Sequence, residues 1–443
     1  MIHLHVEFTK KGKMETQNER VLILTLSGGG GHLQAARAKR LELERGGCSY
    51  IIEKDTIIDF LGKNIGGLIL GAWNYCQRHG RISSTFFFSI CSHIIDSLIT
   101  PLFLIKILIL LKKDRINRII DTQHIGTKAV IKVIRILKYF TAKTIIYEKI
   151  LTDLPTKQCR HYFKSFQKLS TKDKTYIKVT TTAPLLEEYN NEKEFWKQTT
   201  GLDLTNITYG KFPLRPTFNS YKKTSAPLCV TFNTYTPIDT INIEKCLAFG
   251  NTALTVENNT LTYTANGETL SLITLGSYPE KALLVDYMLA FIQQKEKFCA
   301  DRKDLLFLLI GSQKTSAEYY TSIILKLSAL KQYPKNLTIV PIPFQDDTVL
   351  APLYFHINFI IAKSGGLTTM ELLQSVTTNI FIHDSKPLQI KGITIDLMPP
   401  WERGNARYLM QKKKAQMITP ELFNTVTSEF FLHPSNAPAL SVK

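Results

Sequence analysis

Short apolar runs that alternate with helical stretches are the feature of this chain that most constrains its fold. Arg20 to Leu26 (RVLILTL) is typical of a strand buried on both faces, and a helical stretch follows at 32–45. The same alternation returns between Leu272 and His383. Such alternation predicts parallel sheets joined by right-handed crossovers. We therefore expect an α/β protein with two doubly wound domains that face each other across a cleft.

The length of 443 residues is sufficient for two domains, each with its own core. We predict a leader at 1–19, a first domain at 20–220, a second domain at 221–420 and a tail at 421–443. Three prolines within Phe212 to Pro227 indicate a linker between the domains. Asn266-Gly267 between two strand-like runs predicts a hairpin, and hence a small β-rich insertion at about 228–270.

A glycine turn after the strand-like run Phe355 to Ala362 is the strongest candidate for a ligand site. In Lys363 to Glu371 (KSGGLTTME), strand, turn and helix follow one another, which directs backbone N–H groups and the positive helix end at a phosphate. Gly365 and Gly366 permit close approach, and the two threonines that follow add hydroxyl donors. Glu371 lies one turn further, where its carboxylate can accept hydrogen bonds from a ribose. An ordinary strand-to-helix turn has the same pattern, so both interpretations stay open.

A second glycine loop follows the first strand. Ser27 to His32 (SGGGGH) precedes a good helix opening, but it lacks the third glycine of a dinucleotide fingerprint and the Lys-Ser/Thr of a Walker A loop. Four glycines that end in a histidine therefore predict an anion or sugar site with a titratable group, His32, at its edge.

The positive charge of the chain is concentrated in its first half. Residues 1–223 hold 36 basic and 19 acidic residues, whereas the rest of the chain holds 19 and 18. This asymmetry predicts an anionic partner for the first half. Leu98 to Leu111 is apolar with basic flanks and is too short to span a bilayer, which favours a helix in the headgroup region of an anionic membrane. A core helix is the alternative, and no nucleic-acid-binding module is recognisable.

The cysteines and the N-terminal residues indicate the cellular setting. The seven cysteines are widely spread without a CxxC motif, which argues against a disulfide framework and against a zinc site. Met1 to Asn18 is mixed and polar and does not have the pattern of a signal peptide. We expect a cytoplasmic protein that associates peripherally with a membrane.

The ordered motifs resemble those of the glycosyltransferase family that contains monogalactosyldiacylglycerol synthase, processive diacylglycerol glucosyltransferases and the undecaprenyl-linked N-acetylglucosaminyltransferase of peptidoglycan synthesis. The resemblance covers nearly the whole chain except 228–270 and the residues after about 420. It rests on five segments in the family's order: Ser27–Ala36, Leu151–Leu154, Val340–Phe344, Lys363–Glu371 and Pro400–Asn405. Residues 73–88, with the RHG sequence at 78–80, are similar to the diacylglycerol branch.

The resemblance implies a GT-B architecture whose second domain binds a UDP-sugar and whose first domain meets a lipid acceptor. It implies an inverting reaction that needs neither a metal nor a cofactor. His32 would lie beside the reacting sugar or phosphate, and Asp153 or His32 would take the acceptor proton, with His124 a weaker candidate.

The resemblance also implies the donor-binding residues. The turn from Ser364 to Thr368 would meet the diphosphate, Glu371 the ribose and Phe344 the uracil. Glu402 and Asn405 would contact sugar hydroxyls, and Trp401 replaces a glutamine that is usual in the family, so the identity of the sugar is not inherited. The full donor set is Gly30, Gly31, Phe344, Ser364, Gly365, Gly366, Leu367, Thr368, Glu371, Trp401, Glu402 and Asn405.

Together these features lead to one functional hypothesis. The chain is expected to move a hexose or N-acetylhexosamine from a UDP-sugar to a lipid such as diacylglycerol at a membrane surface. A nucleotide-sugar 2-epimerase of the same architecture, a glycosyltransferase with a protein acceptor and a non-enzymatic lipid- or sugar-binding protein are the alternatives.

Overall fold

The computed structural model describes most of the chain from Glu19 to Leu432. The described residues are 19–28, 30–79, 99–141, 144–210, 212–224, 226–250, 254–299, 301–311, 316–375, 379–385, 387–390, 393–413 and 415–432. The predicted leader up to residue 18, the apolar stretch 80–98 and the end of the predicted tail lie outside them.

The first domain is a six-stranded parallel sheet with strand order β2-β1-β3-β4-β5-β6. Its strands are β1 (Arg20–Thr25), β2 (Tyr50–Asp55), β3 (Arg118–Asp121), β4 (Ile146–Ile150), β5 (Ile177–Thr181) and β6 (Ile207–Tyr209). Its helices are α1 (Gly31–Arg45), α2 (Ile58–Leu61), α3 (Lys63–Arg78), α4 (99–113), α5 (Thr127–Thr141), α6 (Arg160–Gln167), α7 (Thr171–Lys174) and α8 (Glu192–Thr200).

The apolar runs of the sequence occupy the centre of this sheet. Val21, Leu22, Ile23 and Leu24 are fully buried because β1 lies between β2 and β3 with helices on both faces. Strand β4 lies between β3 and β5 and pairs in parallel with both.

Helix α4 is in part a core helix, which was the alternative to a membrane-surface helix. Phe103, Ile107 and Leu111 are buried in the core of the first domain, whereas Ile105 and Ile109 are more than half exposed. One face of α4 is therefore a core face, and the other presents apolar side chains to the surroundings.

The second domain is also a six-stranded parallel sheet, with strand order β12-β11-β10-β13-β14-β17. Its strands are β10 (Thr269–Thr274), β11 (Asp304–Leu309), β12 (Leu337–Ile342), β13 (Phe359–Ala362), β14 (Asn379–His383) and β17 (Gln416–Ile418). Its helices are α11 (Lys281–Phe298), α12 (Ser316–Ser328), α13 (Asp347–His356), α14 (Gly366–Gln374), α15 (Pro400–Lys413), α16 (Phe423–Val426) and α17 (Ser428–Leu432), and a small hairpin joins β15 (Leu388–Ile390) to β16 (Ile393–Ile395). Two doubly wound parallel sheets confirm the predicted fold class, the paired Rossmann-like arrangement of GT-B proteins.

The β-rich segment before β10 differs from the hairpin that the sequence predicted. It contains β7 (Cys229–Asn233), α10 (Pro237–Leu247), β8 (Thr255–Glu257) and β9 (Thr260–Thr264), with strand order β7-β9-β8 in its sheet. The tight turn is Asn258-Asn259, both with positive φ, and not Asn266-Gly267. The prediction was wrong because the run after Gly267 becomes β10, which pairs in parallel with β11 and β13.

The segment between the domains and the predicted tail both pack on the second domain. Phe212, Leu214 and Phe218, the last in α9 (Pro216–Ser220), are buried in its core. Phe423, Phe430 and Phe431 are buried in the same core, so the second domain extends to the end of the described residues rather than to 420.

The two strand orders locate the places where ligands bind in such sheets. In the first domain the order reverses between β1 and β3, and in the second domain between β10 and β13. Ligands of doubly wound sheets bind outside the carboxyl ends of the strands at such points. Both glycine loops follow strands at these points, one after β1 and the other after β13.

Candidate active site

A cavity of about 210 Å³ lies between the two glycine loops. Gly30 and Gly31 line it from the first domain, and Gly365, Gly366 and Leu367 line it from the second. Small-molecule pockets usually measure roughly 300 Å³ or more. The cavity is therefore smaller than a usual small-molecule pocket.

The first turn of α14 supplies anion-binding groups to the cavity. Gly365 precedes the helix with φ −61° and ψ 147°, and no side chain of the described residues caps the helix N-terminus. The first N–H groups of an α-helix have no intrahelical acceptor, and the helix dipole places partial positive charge there. Thr368 adds a hydroxyl at the cavity wall, whereas Thr369 is fully buried. The predicted glycine turn therefore has the geometry of a phosphate site.

Lys363 brings a positive charge to the same wall. Its side chain lines the cavity. Burial raises the pKa of the Glu402 carboxyl, the Lys363 ammonium lowers it and Asp153 raises it further. Burial likewise raises the pKa of Glu280, again opposed by Lys363. The ammonium group is thus close enough to both carboxyls to affect their ionisation.

Glu371 is held by an arginine from the segment between the domains. Arg215 Nε donates to Glu371 Oε1 at 2.6 Å and Arg215 Nη2 donates to Oε2 at 2.7 Å, with both residues buried. Burial raises the pKa of the Glu371 carboxyl, and the guanidinium of Arg215 lowers it. Both residues line the cavity, so the carboxylate predicted to hold a ribose is present but already shares its oxygens with Arg215.

Aromatic and polar groups also line the cavity. Phe344, which the family resemblance placed beside a uracil, is 37% exposed, whereas Tyr354 is buried. Gln345 donates to the carbonyl of Asn233 at 2.9 Å and accepts from its N–H at 3.0 Å. This pair of hydrogen bonds fixes the loop that carries Phe344.

His32 is oriented by the end of β3 and by the residue before Asp153. Its Nδ1 lies 2.8 Å from the carbonyl oxygen of Thr122 and 2.9 Å from Thr152 Oγ1. A backbone carbonyl can only accept, so it selects the tautomer with a proton on Nδ1 and the lone pair on Nε2. The ring centroid of His124 is 5.8 Å from that of His32. The histidine at the end of the glycine loop is thus arranged as a hydrogen-bond acceptor or a base.

Asp153 is buried at the domain boundary, close to the first turn of α14. A Cβ added at Gly366 would lie 2.9 Å from Asp153 Cα and would overlap the carbonyl oxygen of Thr152. Asn405 Nδ2 donates to Asp153 Oδ1 at 2.9 Å. The structure therefore brings both predicted catalytic residues near the glycine turn that precedes α14, with Thr152 between them.

Two predicted donor contacts have other partners in the structure. Ser364 is fully buried, and its hydroxyl donates to the carbonyl of Glu402 at 2.8 Å rather than pointing into the cavity. Both amide hydrogens of Asn405 are used, by Asp153 Oδ1 and by the carbonyl of Ser364. Both side chains therefore connect protein elements in this structure, and the contacts of Ser364 with the diphosphate and of Asn405 with the sugar stay predictions. Glu402 lines the cavity, and Trp401 is partly buried in the first turn of α15.

Sequence reasoning missed several residues of this site. Arg215 lies in a proline-containing segment, where a single arginine among buried apolar residues was the available signal. Lys363 was part of the glycine-turn motif but received no role. Gly276, Ser277 and Tyr278 line the cavity, although the short loop after β10 offered no recognisable phosphate motif.

A second, larger cavity of about 740 Å³ lies on α5 of the first domain, far along the sequence from the glycine loops. Lys132, Lys138 and Lys172 line it together with Arg135, which is paired with Asp173 at 2.9 Å. Tyr139 and Phe140 at its edge are 85% and 76% exposed. Leu68 on α3 is also 75% exposed. The first domain therefore presents apolar and basic side chains together.

The composition of the described residues bears on metal binding and on membrane crossing. These residues contain no group of three or more His, Cys, Asp or Glu side chains arranged for a metal ion. Across the ranges that the structure covers, every helix is too short or too polar to cross a bilayer.

Comparison with known proteins gives structural matches only. No family model and no curated protein matches the chain by sequence. MurG of Acinetobacter baumannii matches with 13% identity, 93% coverage of this chain, 90% of MurG and a TM-score of 0.45. Arabidopsis thaliana UGT89C1 complexed with UDP-L-rhamnose matches with 8% identity, 94% coverage of this chain, 89% coverage of UGT89C1 and a TM-score of 0.49. UDP-GlcNAc 2-epimerase of Methanocaldococcus jannaschii matches with 12% identity, 94% coverage of this chain, 92% coverage of the epimerase and a TM-score of 0.43. Similarity this low assigns no function to the chain.

Proposed function

We propose that this protein is an inverting glycosyltransferase that moves a hexose or N-acetylhexosamine from a UDP-sugar to a lipid hydroxyl such as that of diacylglycerol. The observation that carries the proposal is the cavity at the second switch point, where the N-terminus of α14 and the Lys363 ammonium face one space. A helix N-terminus and a nearby cation together favour a diphosphate. Glu371 and Phe344 on the same wall fit the ribose and the base of a nucleoside.

The reaction that fits this arrangement is a single displacement. Asp153 takes the proton of the acceptor hydroxyl, and the hydroxyl oxygen forms a bond to the anomeric carbon. The bond from that carbon to the β-phosphate oxygen breaks, and UDP leaves with the electron pair. The α14 N-terminus and Lys363 stabilise the charge that develops on the diphosphate. In this proposal no protein-bound metal or cofactor takes part, and His32, whose Nε2 carries a lone pair, contacts the sugar or the acceptor hydroxyl.

Association with an anionic membrane is the second half of the proposal. The first half of the chain carries nearly all of the excess positive charge. Lys132, Lys138 and Lys172 lie beside the exposed rings of Tyr139 and Phe140. Each basic residue near an anionic leaflet contributes about 1 kcal/mol, and aromatic side chains favour the interface. Surface binding of this kind would present a lipid acceptor to the cleft.

The proposed chemistry is tested by UDP release from a panel of UDP-sugars, with and without diacylglycerol vesicles. Release that depends on the lipid, together with a glycosylated lipid product, is the expected result. A C2-epimerised donor formed without any acceptor would instead establish the epimerase alternative. Failure of UDP to bind in calorimetry would refute the donor site itself.

The proposed membrane contact is tested by flotation with neutral and anionic vesicles. The double variant Tyr139→Ser/Phe140→Ser should lose most of its binding to anionic vesicles. Leu325→Ser is a matched control, because Leu325 is a 62% exposed apolar residue on α12 of the second domain. Equal flotation of the double variant and the control would exclude this surface as the membrane contact.

A further inference from the structure

The side chain of Asn405 connects the two domains by hydrogen bonds. It lies in α15 of the second domain and is fully buried. Its Oδ1 accepts from the N–H of Leu154 at 2.8 Å, and its Nδ2 donates to Asp153 Oδ1 at 2.9 Å and to the carbonyl of Ser364 at 2.9 Å. One amide therefore joins the end of β4 in the first domain to the donor turn of the second.

The backbone around this amide is packed for close contact. A Cβ at Gly366 would overlap the carbonyl oxygen of Thr152, and a Cβ at Gly404 would overlap Thr156 Oγ1. Glycine at both positions lets α14 and α15 meet the segment after β4. Beyond them, the hydroxyl of Tyr408 donates to the carbonyl of Ala183 at 3.0 Å. Asn405 thus lies within a contact that exists only when the two domains are together.

We infer that Asn405 is a positioning residue that orients the Asp153 carboxylate only in the closed arrangement of the domains, and so couples closure to proton abstraction. The inference rests on the proposed function, in which Asp153 is the base. The terminal torsion of an aspartate is broad, and a donor on Oδ1 fixes the plane of the carboxylate and thus the direction of Oδ2. When α15 moves away, Asp153 and Leu154 lose this partner together. The second amide hydrogen ties the same geometry to Ser364 in the turn that meets the diphosphate.

A positioning role and a sugar-binding role predict different kinetics. A residue that contacts the donor sugar contributes to donor affinity, so its loss raises KM. A residue that orients the base acts in the chemical step, so its loss lowers kcat and leaves donor affinity nearly unchanged. General-base catalysis contributes roughly 10²- to 10⁴-fold, so misorientation of the base should lower kcat by about 10- to 100-fold.

The experiment measures lipid-dependent UDP release and UDP affinity for four proteins: wild type, Asn405→Asp, Asn405→Ser and Asn358→Asp. The aspartate variant keeps the acceptor for Leu154 and loses both donors, and the serine variant avoids a new charge beside Asp153. Asn358→Asp is the matched control, because Asn358 Oδ1 accepts from the Leu270 N–H at 3.0 Å within the second domain. Both Asn405 variants should lose about 10- to 100-fold in kcat with donor KM within about threefold, and the control should match the wild type.

The exchanged double variant Asp153→Asn/Asn405→Asp completes the test. It restores one hydrogen bond between an amide and a carboxylate across the domain boundary. The carboxylate then lies at position 405 in the second domain instead of position 153 in the first. Its thermal midpoint should recover relative to Asn405→Asp, while its kcat should stay at the level of Asp153→Asn. An active wild type whose Asn405 variants raise KM at unchanged kcat would overturn the positioning role alone, as would recovery of kcat in the exchanged variant. A wild type that releases no UDP from any donor would overturn the proposed function and this role with it.

Discussion

The substitution Gly366→Ala tests the contact between the domains more directly than any other single change. The added Cβ would lie 2.8 Å from the carbonyl carbon and 2.9 Å from Asp153 Cα, and it would overlap the oxygen of Thr152. Ordinary carbon contacts begin at roughly 3.4 Å, so backbone on one side must move by at least about 0.5 Å. Both neighbours are main chain, so no side-chain rotation can relieve the overlap.

The expected magnitude follows from the cost of overpacking a close contact. Such insertions cost about 1–3 kcal/mol, and here the overlap exists only when the domains are closed. A penalty of about 2 kcal/mol would lower the closed-to-open ratio roughly 30-fold, since 1.4 kcal/mol corresponds to tenfold. Each domain keeps its own core, so the unfolding of either domain should change little.

Gly365→Ala is the matched control for this prediction. Gly365 has φ −61°, and a Cβ there would meet nothing within 4 Å, so alanine fits the unliganded structure without strain. We expect the control to keep the wild-type interdomain distance and an equal or slightly higher thermal midpoint. Small-angle scattering and fluorescence transfer between dyes on the two domains measure closure. A Gly366→Ala protein as closed as the Gly365→Ala protein would refute the reasoning.

Three further predictions concern charged groups of the cavity. Glu371→Gln leaves the Arg215 guanidinium buried without its counter-charge and should lower the free energy of unfolding of the second domain, measured in urea, by about 3 kcal/mol. The double variant Arg215→Met/Glu371→Leu should regain this stability but should not regain affinity for UDP. A single variant as stable as the wild type would contradict the prediction. Lys363→Met should weaken UDP binding by about tenfold and leave uridine binding unchanged in calorimetry, and an equal loss for both would exclude a diphosphate contact. Burial raises the pKa of Glu402, so its contribution to stability is complete below the unfolded-state pKa and is lost as pH rises through the folded-state pKa. Glu402→Gln should therefore have the higher thermal midpoint at about pH 8, with a gap that closes towards about pH 4, and a gap independent of pH would contradict it.

The sheets were predictable because each depends on a local pattern. A mostly apolar run such as RVLILTL buries both of its faces only in a central strand that is covered by helices. In the structure this run forms the buried strand β1 between β2 and β3. The hairpin predicted at Asn266-Gly267 was wrong because the apolar run after it was equally suited to a central parallel strand. A hairpin motif can be recognised from a few consecutive residues, whereas the strand with which a given strand pairs can lie far away in the sequence.

The partners within the site were not predictable from one sequence. Arg215 and Glu371 are 156 residues apart, and Asn405 and Asp153 are 252 residues apart. Nothing in the spacing of either pair indicates that the side chains meet. The glycine turn was found because strand, turn and helix are consecutive, whereas the groups that orient its neighbours come from other elements.

The ion pair between Arg215 and Glu371 has a mechanical consequence. The ion pair joins the segment between the domains to α14, and Phe212 and Leu214 of this segment are buried in the core of the second domain. On the other side, β6 holds the chain to the first sheet as far as Tyr209. The chain therefore belongs to the first sheet up to Tyr209 and to the core of the second domain from Phe212 onwards. The cavity wall that contains Arg215 therefore moves with the second domain.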